Sequence, residues 1–448
     1  MSKPIRRLFV CCVHGLDQRR IDPQHTPFLH QLQRRCPSLA INTLPSTELM
    51  TTFITGVWPS EHGVWQVRIK DRLSSSSLLD RLPDAISTTL QGLYQFFKPT
   101  FDLSTVPYRR RRRFELHRFK YFKRERDESV MDAIGPYRSF LGHMNGRSRF
   151  HFAKSFTTLR KLLPRLPSSD CTLELLEVYA LDLYKHWHLD RPEAIKRAYR
   201  MMDEILRQLY LRCEAAGTTL AVISDHGQDQ VVGSIPLRKI LARSGVPETD
   251  YTYFLEAVQA RFWFHTDAAR GKLVPLLQSI LHTRLLRRDQ MEKYHVPCSD
   301  DSYGQFHLVA KPGWIFFPHD FHHPMANFFM GLTEETQRTR LFGNKHKGNH
   351  GYLPENPSEK GFAILADDRF DAVADEADLI DMAPTFLSLL GEPRPVHMKG
   401  RVAFRLSPAE AAARVFPLRE RVLDWSFGLV PPTPTPGEKH VQEHQDAV

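Results

Sequence analysis

The chain has 448 residues, 42% of them hydrophobic and 25% charged, which supplies a sizeable core and excludes wholesale disorder. That length suits one large α/β domain with insertions, or two to three ordinary domains. Lysine plus arginine (61) exceeds aspartate plus glutamate (51), a net +10 that suits an anionic partner without naming it.

The first element in chain order is LFVCCV, Leu8 to Val13, a fully apolar run stopped by His14 and Gly15, which reads as a buried strand. It is too short for a secretory h-region, and no uncharged apolar run reaches the roughly 18 residues of a membrane span. The six cysteines include no CxxC and read as buried free thiols, so the protein is expected to be soluble and cytoplasmic. A helical stretch, TPFLHQLQRRC, and a β-like run, LAINTL, follow. STELMTTFITG then carries helical spacing, with Ser46 or Thr47 placed as its N-cap.

Residues from about 70 to 165 read as an insertion with a serine run, Ser74 to Ser77, and a basic block, Arg109 to Arg126. That block sets ten lysines and arginines against two glutamates. TLELLEVYAL reads as a strand ending at Asp182, and PEAIKRAYRMMDEILRQLYLRCEAAG as an amphipathic helix stopped by Gly217. TTLAVISDHG is a strand with a polar turn. Residues from about 250 to 345 form a second, cap-like insertion with two β-like pieces around one helical stretch, GKLVPLLQSILHTRLLRRDQMEKY. The strand GFAILA and the helix ADLIDMAPTFLSLLG close the pattern. One domain is expected over 1–430, with a Pro-rich disordered tail at 431–448.

Alternating strands and helices predict an α/β fold with a mostly parallel sheet covered on both faces. Polar chemistry gathers beyond the carboxyl ends of such strands. His14, Ser46, Asp182, and Asp225 with His226 stand there. Each piece also has an ordinary reading: an N-cap for Ser46, a capped helix start for Asp182 to His186, and plain turns for SDHG and GNHGY. Order and spacing change the balance. VHGL, TPFLHQL, TGVWPSEHG, DLYKH, SDHGQ, GNHGY and DMAPTFLSLLG follow one another from Leu8 to about Gly391. In that order they resemble the alkaline phosphatase superfamily, and within it the type I phosphodiesterase / nucleotide pyrophosphatase family.

The resemblance implies an alkaline-phosphatase-like three-layer α/β/α fold with inserted cap segments. It also implies a metal-dependent hydrolase of phosphodiester or pyrophosphate bonds, working on a small-molecule phosphate ester through a covalent phosphoryl-enzyme. Two divalent cations, expected to be zinc, would lie about 3.5–4 Å apart. Asp182, His186 and His350 would hold one. Asp225, His226, the nucleophile oxygen and His14 would hold the other. Ser46 stands ten residues before Gly56, where the family nucleophile stands; Thr47 is its neighbour, and either would sit at a helix start. Three positions depart from the pattern. His14 replaces an acidic ligand, with Asp17 close enough to substitute. Lys185 replaces a glycine, where it would crowd the site or contact substrate. Glu48 and Leu49 replace a Pro-Asn pair. The alternatives are a catalytically weakened anion-binding protein, nucleic-acid binding through the Arg109 to Arg126 block, and a phosphomonoesterase or phosphonate hydrolase. A sulfatase is disfavoured by the lack of a CxPxR signature near the nucleophile.

Overall fold

The apolar run Leu8–Val13 forms strand β1, and all six of its residues are buried. The computed structural model describes residues 5–46, 48–66, 68–70, 86, 114–116, 132–316 and 346–407. Next in order come α1 (Pro27–Arg35), β2 (Ser38–Asn42), α2 (Met50–Thr55), β3 (Ser148–Ala153), β4 (Leu173–Val178), α3 (Ala180–His188), α4 (Pro192–Ala215) and β5 (Thr219–Ser224). A smaller unit follows, with β6 (Tyr251–Leu255), β7 (Gln259–Phe264), α5 (Asp267–Ser279), β8 (Thr283–Leu286) and β9 (Phe306–Ala310). The chain then returns through β10 (Gly361–Leu365), β11 (Glu376–Asp378) and α6 (Met382–Leu389).

Seven strands form the central sheet in the order β11-β2-β10-β5-β1-β4-β3. β10 runs antiparallel to both its neighbours, and the other pairs are parallel. Leu8, Val10 and Cys12 of β1 pack on one face against α2 and α6. Phe9, Cys11 and Val13 pack on the other against α1, α3 and α4. Alternate side chains of one strand thus feed two cores, so the run reads as continuously apolar. The result is the three-layer α/β/α arrangement. Asp203 of α4 ties one layer together. Its carboxylate accepts from the Phe28 and Leu29 amides (2.8 and 2.9 Å) at the start of α1, where the helix leaves N–H groups unpaired. β6, β7, β9 and β8, in that order, form a separate antiparallel sheet with its own core, the cap.

Four local expectations are corrected. Residues 148–153 belong to the central sheet as β3, not to an insertion. The strand before Asp182 ends at Val178, and Asp182 lies in the first turn of α3. The helical stretch from Gly271 breaks after Ser279, because His282 turns left-handed (φ 62°) and Thr283–Leu286 pairs with β9. Finally, α2 begins at Met50, not at Ser46. Glu48 serves its first turn, accepting from Thr51 N–H and Oγ1 (3.4 and 3.1 Å). Thr47, the serine run, the 317–345 segment and the Pro-rich tail lie outside the described residues. Of the basic block only 114–116 is described, as a strand paired with 68–70. Among the described residues no helix is long and apolar enough to cross a membrane.

Candidate metal centre

β5, β1 and β4 are adjacent and parallel, so the residues following their last positions meet at one end of the sheet. β1 delivers His14. β5 delivers Asp225 and His226. β4 leads into α3, where Asp182 and His186 stand one turn apart on one helix face. His350 arrives on a loop held by the pairing of Gly348 and Asn349 with Asp229 and Gln230. The structure thus brings six sequence-predicted residues together, and all but His350 (intermediate) are buried. Gly15 makes the turn after β1 at φ 69°, and a Cβ there would lie 3.0 Å from an Asp182 oxygen.

Two groups have ligand atoms within 4.8 Å of one another: His14, Asp225 and His226, and Asp182, His226 and His350. His226 belongs to both and stacks on the His350 ring at 3.6 Å. His186 Nε2 lies 3.4 Å from Asp182 Oδ2, and His350 Nε2 lies 3.6 Å from Asp182 Oδ1. The other ring nitrogen of His186 donates to the Gly348 carbonyl (2.9 Å), and that of His226 to the Gly227 carbonyl (2.7 Å). This is the outer support that metal-ligating histidines use, since it fixes the tautomer and leaves Nε2 with a lone pair. His350 Nδ1 is buried without a hydrogen-bond partner. Nitrogen and carboxylate donors so arranged fit a divalent ion at Asp182 and His350 with His186 beside them, and His226 Nε2 also lies 3.2 Å from Asp225 Oδ2.

His14 differs. Its Nδ1 lies 2.7 Å from Asp225 Oδ2 and its Nε2 lies 3.0 Å from Glu177 Oε1, so both ring nitrogens face carboxylates. Burial works to lower its pKa, but Asp225 and Glu177 outweigh it and push the group up to about 10. Burial works to raise Asp225, and His14 with His226 outweighs it, holding the acid at about 2. For Asp182 the same opposition, with His186 and His350 as partners, holds it well below the usual range. The His14 ring thus bridges two carboxylates at the place the resemblance gives to an acidic ligand.

Other expectations meet different surroundings. Asp17 is clamped by Arg19 (Nη2 to Oδ2, 2.7 Å), so it does not replace a ligand at position 14. Lys185 is fully buried, and its Nζ donates to the Gly15 carbonyl (2.5 Å). It braces the turn from behind rather than meeting substrate. Burial lowers its pKa to about 8 against the pull of Asp17 and Asp182. The Ser46 hydroxyl donates to the Trp65 carbonyl and accepts from the Glu48 amide (2.9 Å), a local turn in a fully buried position.

Three residues escaped the sequence reading. Glu177 is one; its signal was an acid inside an otherwise apolar strand. Gln228, where SDHGQ ends, donates to Asp182 Oδ1 at 2.5 Å. Gln259 of β7 donates to the carbonyls of Pro45 and Gly351 (3.2 Å to the latter), joining the nucleophile loop to the His350 loop. Nothing in its local sequence marks that role.

A family model described as type I phosphodiesterase / nucleotide pyrophosphatase matches residues 8–353. No curated protein matches the chain in sequence. Murine ectonucleotide pyrophosphatase / phosphodiesterase 5 (ENPP5, NPP5) superposes with a TM-score of 0.59 at 14% identity, covering 88% of this chain and 97% of that one. Its human counterpart gives 0.59, 14%, 88% and 96%. An inactive threonine-to-alanine form of the murine protein, in complex with AMP, gives 0.57, 13%, 88% and 97%. At such identities the likeness is one of fold.

Proposed function

Because the chain belongs to the type I phosphodiesterase / nucleotide pyrophosphatase family, we propose that it hydrolyses phosphodiester or pyrophosphate bonds of nucleotide-like substrates at this centre. The observation that carries the reading is the pair of imidazole Nε2 atoms, of His186 and His350, facing Asp182, beside His226 Nε2 facing Asp225 at 3.2 Å, with the His186 and His226 rings fixed from behind by backbone carbonyls. Asp182, His186 and His350 would hold one divalent ion, and Asp225 with His226 would offer ligands beside it; zinc bound there would supply Lewis-acid polarisation of phosphoryl oxygens and would acidify a bound hydroxyl or water. The AMP complex of the murine relative supports a nucleotide as the substrate class.

The nucleophile is assigned to Thr47 rather than Ser46. Two backbone partners occupy the Ser46 hydroxyl, and the murine relative is inactive when a threonine is replaced by alanine. The Thr47 hydroxyl attacks phosphorus and gives up its proton, while the bond from phosphorus to the leaving oxygen breaks and that oxygen is protonated. Water then cleaves the threonyl phosphoester and restores the hydroxyl. Gln259 holds the Pro45 carbonyl, two residues before this threonine, against the His350 loop. The six cysteines, all buried and none in a disulfide, support folding in a reducing compartment.

The test is a zinc-supplemented assay on chromogenic phosphodiester, phosphomonoester, phosphonate and sulfate esters. The diester should turn over fastest, Thr47→Ala should abolish turnover, and Ser46→Ala should retain part of it. Wild-type rates in Thr47→Ala would remove Thr47 from the mechanism, and zinc-loaded protein without any turnover would favour an anion-binding role.

A further inference from the structure

Asp182 is the carboxylate that two rings face at once, His186 at 3.4 Å from Oδ2 and His350 at 3.6 Å from Oδ1. An aspartate turns readily about its last torsion, so giving one oxygen to each ring requires that its plane be held. Gly15 bounds one side, where an added Cβ would lie 3.0 Å from Oδ1. The other restraint is Gln228, buried in the loop after β5. Its Nε2 donates to Asp182 Oδ1 (2.5 Å) and to the Asp182 carbonyl (3.2 Å). One amide thus grips the side chain and the backbone of the same residue. A carboxylate and a carbonyl only accept, so the amide nitrogen faces them and the amide oxygen faces away.

We propose that Gln228 is a positioning residue of the metal centre: its amide sets the orientation in which the Asp182 carboxylate meets an ion shared with His186 and His350. This role rests on the metal-centre reading above, but not on the substrate or on the number of ions. The seat of the glutamine is shaped for it. Its Oε1 lies against Gly348, where a Cβ would come within 2.6 Å of that oxygen and 2.8 Å of the Lys185 carbonyl oxygen. Among the described residues Oε1 has no hydrogen-bond partner. A buried acceptor left unpaired is costly, so a side chain needed only to fill this space would be apolar. The Gly348 carbonyl accepts from His186 Nδ1 (2.9 Å), so Asp182 and His186 are braced from one place. Gln228 is itself anchored, because its carbonyl accepts from Arg19 Nη2 (3.0 Å). Groups that orient metal ligands in this way typically contribute about 10–100-fold in affinity.

The experiment compares wild type with Gln228→Met, which keeps the length of the side chain and removes its polar atoms. Zinc affinity is measured by competition with a chelator, and the stability of the zinc-free protein by urea titration. The variant should bind zinc about 10–100-fold more weakly, with a urea midpoint close to that of wild type. Gln228→Asn, too short to reach Oδ1, should behave alike and replaces Gln228→Met if that variant does not fold. In ¹⁵N-labelled wild type, the Gln228 side-chain amide signal should move as zinc is added, because its acceptor becomes a ligand. Wild-type zinc affinity in a folded variant overturns the proposal, whatever the urea midpoint, and so does an amide signal that bound zinc leaves in place. Wild type that binds no zinc overturns the metal-centre reading as well, which separates the two failures.

Discussion

The central sheet brings His14, Asp182, His186, Asp225 and His226 to the carboxyl ends of three neighbouring strands, whereas the cap sheet, among the described residues, reaches the loops around the site through Gln259. The first set consists of titratable groups that can bind an ion. The second is an uncharged amide that donates to two backbone carbonyls and accepts from the Gln66 side chain (3.5 Å). Parallel strands covered on both faces fix positions tightly, and chemistry needs that fixity. The cap instead aligns two loops against each other, so its influence should be graded rather than all-or-none.

The strongest way to break this division is Asp182→Asn, which withdraws the carboxylate shared by His186 and His350. Several kcal/mol of charge stabilisation is at stake, about a 10³-fold loss of turnover together with lost zinc. Near-normal activity in that variant would put the chemistry elsewhere. The cap has its own test in His307 of β9, whose Nε2 donates to the Tyr303 carbonyl (2.8 Å). Burial, helped by Arg261, lowers its pKa from 6.5 to about 3, so the fold holds the neutral ring. That stabilisation is present above pH 6.5 and is lost as pH falls toward 3. Melts at pH 7 and pH 5 should differ by about 2 kcal/mol from this group, and His307→Gln should shrink the difference.

Gln259→Leu sharpens the comparison further. It strands two buried carbonyls and should lower kcat about tenfold while zinc content stays unchanged, a loss within the 1–3 kcal/mol range for such groups. If zinc is lost as well, the cap does more than align loops. The smallest effect is expected at Asp203→Ala, which uncaps α1 far from the chemistry. It should cost about 1 kcal/mol in chemical denaturation and leave turnover unchanged.

Much of this is legible in the sequence, for identifiable reasons. β1 announces itself because both its faces are covered, so no polar residue interrupts it. Asp182 and His186 announce themselves because four residues make one helical turn. What was not readable depends on distant partners. His14 looks like a substituted ligand until Glu177, on the next strand, is seen to hold its far side. Ser46 looks like a helix cap until the helix starts at Met50 and its hydroxyl turns to Trp65. The break at His282 follows from pairing with β9, an element that local preferences cannot see.

The reversed strand β10 has a consequence for biosynthesis. It lies between β2 and β5, pairing Phe362 with both Ala40 and Ser224. At roughly 5–20 residues per second on the ribosome, β2 waits about 20–60 s for this partner to be synthesised. Through that interval β2, and β5 once it has been made, each present an unpaired edge, the kind that invites aggregation. A fragment ending at Leu353 would carry every candidate site residue and still lack the strand that seats the Ser46 loop. The shortest fragment that can hold the site together must therefore extend past Leu365.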